Sequence, residues 1–187
     1  MANAKLKIVL DPGHGGWDMG TIGNRGLMEK DLALDVAQRL SLLLQKNPDY
    51  DVTLTRLDDS YIPLEQRAST ANAAGADLFI SIHGNYSSRS HARGVETFYP
   101  NAAGTDAATA TRSENSRKLA VFLQAFLHHE EESSNPGLPD RGVKPANYAV
   151  LRSTAMPAAL AEVSFVSSPN DEYQLLLNYH QRFCGLT

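Results

Sequence analysis

The stretch that most constrains this chain is its first apolar run and the glycine-rich segment after it. Lys7–Asp11 reads as a short strand that Pro12 and Gly13 prevent from continuing. His14 follows directly, and a helical pattern begins at Glu29. Five glycines lie between these two residues: Gly15, Gly16, Gly20, Gly23 and Gly26. Such a segment permits tight turns, but neither the dinucleotide-binding nor the P-loop glycine spacing occurs, which disfavours nucleotide binding.

Apolar periodicity predicts strands and helices that alternate along the chain. The predicted strands are Lys7–Asp11, Asp51–Arg56, Asp77–His83, Gly94–Tyr99, Tyr148–Leu151 and Ala158–Val163, and the predicted helices are Glu29–Lys46, Pro63–Ala74, Ser113–His129 and Asn170–Phe183. Two long segments, Asn101–Arg112 and Glu130–Ala146, are predicted to be loops. The alternation predicts an α/β fold: a single domain over residues 1–187, with a mostly parallel twisted sheet of about six strands and helices on both faces. The chain ends soon after its last helix, which leaves open that this helix is truncated.

Amphipathic spacing also predicts which side chains of the helices face the core. The predicted inner positions are Leu32, Val36, Leu40, Leu43 and Leu44 in the first helix, Leu119, Phe122, Leu123, Phe126 and Leu127 in the third, and Tyr173, Leu176, Leu177 and Tyr179 or His180 in the last.

Composition excludes several classes of protein. The chain has 17 basic and 21 acidic side chains, a net charge of −4, which argues against general nucleic-acid binding. No apolar run is long enough to span a membrane, and no apolar signal segment precedes the first strand. The protein is therefore either cytosolic or the catalytic piece of a longer exported protein. Cys184, the only cysteine, is expected to be a packed thiol and allows neither an internal disulfide nor a thiolate zinc site.

Three polar side chains stand where predicted strands end: His14, His83 and Glu162. Sites in open α/β sheets form beyond the carboxyl ends of the strands, so we expect these three to meet, with Glu29 beside them. Two imidazoles and one carboxylate form a donor set typical of catalytic zinc, which lowers the pKa of a bound water to about 7. His14, Glu29 and His83 are thus the predicted ligands of one Zn²⁺ per chain. Glu162 is the predicted general base and acid.

Other interpretations of the same residues remain open at this stage. Glu29 suits the first turn of a helix without any metal, and His83 fits a hydrogen-bonded core imidazole. A buried Glu162 also fits an ion pair with Arg56 or Arg152. No helical H-E-x-x-H motif occurs. The remaining histidines are expected not to touch a metal: His91, His128, His129 and His180.

Four motifs contain the candidate residues. They are Leu10-Asp11-Pro12-Gly13-His14-Gly15-Gly16, Gly26-x-x-Glu29-Lys30-Asp31, Ser81-Ile82-His83-Gly84-Asn85 and Pro157-Ala158-x-Leu160-x-Glu162-Val163-x-Phe165. In this order, and with similar linking segments over nearly the whole chain, the sequence resembles the zinc-dependent N-acetylmuramoyl-L-alanine amidases of the amidase-3 type.

The resemblance implies one zinc held by His14, Glu29 and His83, with Glu162 as the catalytic residue. It implies peptidoglycan as the substrate and cleavage of the amide between N-acetylmuramic acid and the L-alanine of the stem peptide. A periplasmic, extracellular or cell-wall location follows, with any wall-binding modules outside this chain. Two rival functions are another zinc amidohydrolase, acting on small peptides or acetylated sugars, and a non-catalytic wall-binding module.

The sequence departs from the family pattern at two places. Gly84 follows His83 where the family often has alanine, which is expected to loosen the backbone without removing the ligand. Related cell-division amidases carry a long helical insertion that plugs the zinc, whereas here only Asn101–Arg112 intervenes. We therefore expect an open site that needs no activator.

Overall fold

The structure is a computed structural model that describes residues 4–89, 91–102 and 106–183. Its elements, in chain order, are β1 Leu6–Pro12, α1 Glu29–Leu44, β2 Tyr50–Leu54, α2 Leu64–Ala74, β3 Leu78–Asn85, β4 Val95–Pro100, α3 Ala107–Ser134, β5 Asp140–Ala146, α4 Ala149–Arg152, β6 Ala158–Phe165 and α5 Pro169–Phe183.

The six strands form one sheet in the order β2-β1-β3-β6-β4-β5. Strands β2, β1, β3 and β6 are mutually parallel, and β4 pairs with β6 in the antiparallel sense. Strand β5 runs parallel to β4 at the edge of the sheet. The predicted α/β fold with a mostly parallel sheet of about six strands is confirmed.

Each face of the sheet carries its own apolar core, because alternate residues of a strand point to opposite faces. On one face, Ile8 and Ile82 pack with side chains of α1, α3 and α5. On the other, Val9 and Phe79 pack with Ala71 of α2 and with residues of α4. Helices therefore cover both faces, and the carboxyl ends of β1, β3 and β6 meet at one edge.

The second half of the chain contains three departures from the sequence prediction. Asp140–Ala146, predicted as a loop, is strand β5; its glycine and proline are tolerated because the strand lies at the sheet edge. Tyr148–Leu151, predicted as a strand, instead leads into the single helical turn α4. Helix α3 is longer than predicted at both ends, and Asp106 caps its start by accepting a hydrogen bond from the Thr109 amide.

Some predicted inner positions of the helices are wrong. In α3, Leu119, Leu123 and Leu127 are partly buried against the core beside the buried Ala120 and Gln124, and the intervening phenylalanines point outward. The exposed fractions of the four misassigned side chains are 59% for Leu43, 76% for Phe122, 62% for Phe126 and 46% for Tyr173.

Helix α3 has 28 residues, but neither it nor another helix in the described ranges combines the length and apolar character needed to cross a membrane. Cys184 lies outside the described residues, as do the side chains of Tyr179 and His180.

Candidate metal centre and catalytic carboxylate

His14, Glu29 and His83 come from three separate segments and meet at the carboxyl edge of the sheet. Nε2 of His14 and Nδ1 of His83 lie 2.9 and 2.8 Å from the same atom, Oε1 of Glu29. The three potential ligand atoms all lie within 4.8 Å of one another. In the part of the chain that the structure describes, no other group of three such side chains converges in this way.

The backbone at His14 has an unusual conformation, with a φ of 57°. This left-handed region is strained for a residue with a side chain, so the surroundings must hold it in place. Nδ1 of His14 lies 2.9 Å from Oδ1 of Asp18, which directs Nε2 towards Glu29. Gly13 makes the approach of the two imidazoles possible, because a Cβ there would lie 2.3 Å from the His83 ring. Asp18 could not be predicted from the sequence, because spacing within an irregular loop carries no periodic signal.

Arg67 stabilises the loop around His14 through hydrogen bonds to the loop's backbone carbonyls. The side chain is almost fully buried, and its Nη2 donates to the His14 carbonyl at 2.6 Å. Its Nη1 donates to the Pro12 carbonyl at 2.6 Å and to Oδ1 of Asp11 at 2.9 Å. Asp11 also accepts a hydrogen bond from Ser81 at 2.8 Å, so both oxygens of its buried carboxylate are hydrogen-bonded.

A second guanidinium, that of Arg56, joins the same loop to helix α1. Its Nη2 donates to the Gly13 carbonyl at 2.8 Å and to the Lys30 carbonyl at 2.7 Å. Arg152 donates to the Asn147 carbonyl at 3.0 Å. Neither arginine pairs with Glu162, so the alternative interpretation of Glu162 as their ion-pair partner is wrong.

The carboxyl group of Glu29 is strongly biased towards its charged form. Burial opposes this, but hydrogen bonds from His14 and His83 outweigh it and hold the pKa of Glu29 well below its usual range. The Thr21 amide adds a bond to Oε2 at 2.8 Å and the Gly84 amide one to Oε1 at 3.2 Å. Glu29 therefore presents an anionic oxygen to the space between the imidazoles.

Two carboxylates surround the imidazole of His14. Burial disfavours the charged form of His14, but the carboxylates of Glu29 and Asp18 outweigh it and raise its pKa. A divalent cation would take the place of the proton that each imidazole shares with Glu29.

Gly84, beside His83, packs closely: a Cβ there would lie 2.6 Å from Val166 and 2.9 Å from Leu32. Glycine at this position thus fits the local packing.

Glu162 lies in β6, opposite His83 of β3 and opposite Glu96 of β4. Its Oε2 atom is buried and has no hydrogen-bond partner among the described residues. Burial raises the pKa of the Glu162 carboxyl to about 7; the charges of Glu29 and Glu96 add to the increase, and His83 opposes it. A buried, unpaired oxygen next to a donor cluster is costly for stability and is typical of a functional group.

Glu96 occupies a different environment from its neighbour Glu162. Asn85, Arg141 and Lys144 all donate to its carboxylate, the Nε of Arg141 at 3.1 Å. These bonds outweigh burial and lower the pKa of Glu96. Two glutamates on neighbouring strands thus have pKa values shifted in opposite directions, and Glu162 is the one whose pKa is raised.

The loop before Glu29 is also held by the start of α5. Glu172 is fully buried, and its Oε1 accepts hydrogen bonds from the amides of Arg25 and Leu27 at 2.7 and 3.3 Å. Gly23 packs against this carboxyl group, since a Cβ there would lie 2.2 Å from Oε1. This role of Glu172 could not be predicted from the sequence, because the partners are separated by about 145 residues.

All four predicted site residues line one cleft of about 480 Å³, which is within the usual size of a small-ligand site. Tyr61, Tyr86 and Tyr148 contribute aromatic walls. The histidines expected not to touch a metal include His128, whose Nε2 atom lies 2.9 Å from the carbonyl oxygen of Leu138.

The donor set fits a divalent metal, because two imidazoles and an ionised carboxylate face one point and at least one imidazole is oriented by a second carboxylate. Together with a neighbouring carboxyl group of near-neutral pKa, this defines an α/β domain with a candidate metal centre of the hydrolase type. Comparison with known proteins gives the family. The chain belongs to the Amidase_3 family, described as N-acetylmuramoyl-L-alanine amidase, whose sequence pattern matches residues 8–184.

Individual relatives agree with this assignment. The chain is 38% identical to the N-acetylmuramoyl-L-alanine amidase LytC of Bacillus subtilis (strain 168) over 90% of its own length, and 41% identical to the amidase CwlM of Bacillus licheniformis over 91%. An N-acetylmuramoyl-L-alanine amidase structure from Clostridium difficile 630 superposes with a TM-score of 0.80 at 37% identity, covering 94% of this chain and 87% of that one. The family resemblance seen in the sequence is confirmed.

The match covers only part of the two curated relatives. It spans 31% of LytC and 60% of CwlM. The similarity therefore concerns a domain within longer proteins.

Proposed function

We propose that this domain hydrolyses the amide bond between N-acetylmuramic acid and the L-alanine of the stem peptide in peptidoglycan, using one zinc ion held by His14, Glu29 and His83. The observation that carries the proposal is the convergence of these three donors beside the unpaired carboxyl oxygen of Glu162. Family membership supplies the substrate class.

The chemistry divides between the cation and Glu162. When bound, zinc supplies the Lewis acid that polarises the amide carbonyl and acidifies water. The Glu162 carboxylate takes a proton from the attacking water and delivers it to the leaving nitrogen of L-alanine. Burial raises the pKa of this carboxyl group in the metal-free protein, and a bound cation would favour the carboxylate form that accepts the proton from water. Asp18 keeps Nδ1 of His14 engaged, which leaves Nε2 for the metal.

We place this activity at the cell wall, where the substrate lies, and propose that the cleft is open without an activator. Supporting this, none of the described residues between 101 and 112 lines the cleft. The segment is also shorter than the sequence suggested, because Ala107–Arg112 belongs to helix α3. We expect wall-binding modules, where present, to lie outside this domain.

Digestion of purified peptidoglycan tests the proposal. The zinc-loaded protein should release stem peptides with new L-alanine amino termini and leave free lactyl carboxylates on the glycan, and removal of metal should abolish both. Glu162→Gln provides the matched control with the ligands intact. Products cleaved elsewhere would favour another zinc amidohydrolase, and wall binding without metal-dependent turnover would favour a non-catalytic module.

A further inference from the structure

Two exposed aromatic side chains, Trp17 and Tyr61, lie beside the cleft and belong to neither of the two apolar cores described above. Trp17, the only tryptophan, is 73% exposed, and its ring lies 4.3 Å from that of Tyr61 at an angle of 32°. An exposed tryptophan of this kind keeps a large apolar surface in water, which is typical of binding surfaces.

The turn that carries Trp17 is firmly held. Gly15 and Asp18 exchange backbone hydrogen bonds of 2.9 and 3.2 Å across it. The Gly16 amide donates to Asp59 at 2.8 Å, and the Lys30 ammonium donates to the Gly16 carbonyl at 2.9 Å. Gly16 has a φ of 60°. The backbone on either side of Trp17 is therefore held in place.

The aromatic pair continues the rim of the cleft. Tyr61 itself lines the cleft, as does Asp18, the next residue after Trp17. Asp18 in turn holds the proposed ligand His14. A polymer with one bond at the metal centre can therefore reach Trp17 and Tyr61 along this rim.

We infer that Trp17 and Tyr61 form a subsite that stacks against a pyranose ring of the glycan chain; this rests on the proposed function. The apolar C–H face of a sugar suits the electron-rich face of an aromatic ring. The charged groups beside the pair, Asp18 and Asp59, disfavour an anionic peptide there, and the Lys30 ammonium is already paired with Asp59 at 2.6 Å.

Because the chain has one tryptophan, emission excited selectively at the indole reports on Trp17 alone. The probe is a neutral β-1,4-linked N-acetylglucosamine tetramer, which lacks the scissile amide. It should change the Trp17 emission saturably in wild-type protein, and Tyr61→Ala should weaken this binding. No change with the tetramer, or a change only with free stem peptide, would overturn the inference. The readout needs no turnover, so it stands apart from failure of the proposed reaction.

Kinetics supply a second test. Trp17→Ala should lower kcat/KM on polymeric peptidoglycan about tenfold, mainly through KM, and should have less effect on a muramoyl peptide with a single sugar. Trp17→Phe should retain most of the activity. The matched control is Phe122→Ala, at a similarly exposed aromatic residue of α3. It should leave kcat/KM unchanged on both substrates. An equal loss on both substrates would refute a glycan subsite.

Discussion

Replacing Glu162 by glutamine should separate catalysis from metal binding and reveal what the buried carboxylate costs the fold. Glutamine has nearly the same shape but cannot take a proton from water. We expect turnover to fall by about 10²–10⁴-fold, the usual contribution of a general base, while one zinc stays bound per chain. Activity assays and metal analysis of the same preparation measure the two effects.

The stability effect follows from the pKa of Glu162, which burial raises from 4.5 to about 7. Because the folded protein holds this proton more tightly than the unfolded chain, its contribution to stability is fully present below pH 4.5 and is lost as the pH rises through 7. At about 1.4 kcal/mol per pKa unit, the loss between pH 5 and pH 8 is roughly 2–3 kcal/mol. Glutamine does not titrate, so Glu162→Gln should lack this loss.

Urea unfolding of metal-free wild type and Glu162→Gln at pH 5 and pH 8 measures the difference. The free energy of unfolding of the variant, relative to wild type, should rise by roughly 2–3 kcal/mol between these pH values. Adding zinc should shrink the effect, because a nearby cation favours the carboxylate. An identical pH dependence in both proteins, or full activity of the variant, would refute the reasoning.

Three further substitutions test the site and its support. His14→Ala should lose zinc as well as activity, as measured by metal analysis; a variant that still binds one zinc per chain would contradict the ligand assignment. Arg67→Leu should destabilise the protein by about 3–5 kcal/mol in urea unfolding, because it leaves the buried Asp11 carboxylate without its cation. Glu172→Ala should weaken zinc affinity by up to about tenfold in chelator competition, the low end for an outer-shell group, because it acts only through the loop before Glu29; unchanged affinity would show that this loop keeps its position without Glu172.

The sequence was most informative where pattern and position coincide. Strand β1 and helix α1 were predicted almost to the residue, because an apolar run stopped by Pro12 and a helical repeat starting at Glu29 are local signals. Edge strand β5 was missed for the opposite reason: its backbone hydrogen bonds to β4 stabilise it, and its own sequence contains Gly142 and Pro145.

The same contrast holds within the site. The four residues predicted at strand and helix ends do lie together, and their proposed roles await the experiments above. The contacts of Arg56 and Arg67 could not be predicted from the sequence, because they are made with backbone carbonyls of a loop more than 40 residues away. No side-chain pattern records such contacts; they depend on tertiary structure.

The anchoring of the loop by Glu172 bears on where the smallest working fragment of this protein ends. A fragment stopping at Phe165 would keep every strand of the sheet and all four proposed site residues. It would nevertheless leave the amides of Arg25 and Leu27 without their acceptor, just ahead of Glu29. The boundary for truncation or fusion therefore belongs beyond Glu172 in the last helix, even though none of that helix's described residues lines the cleft.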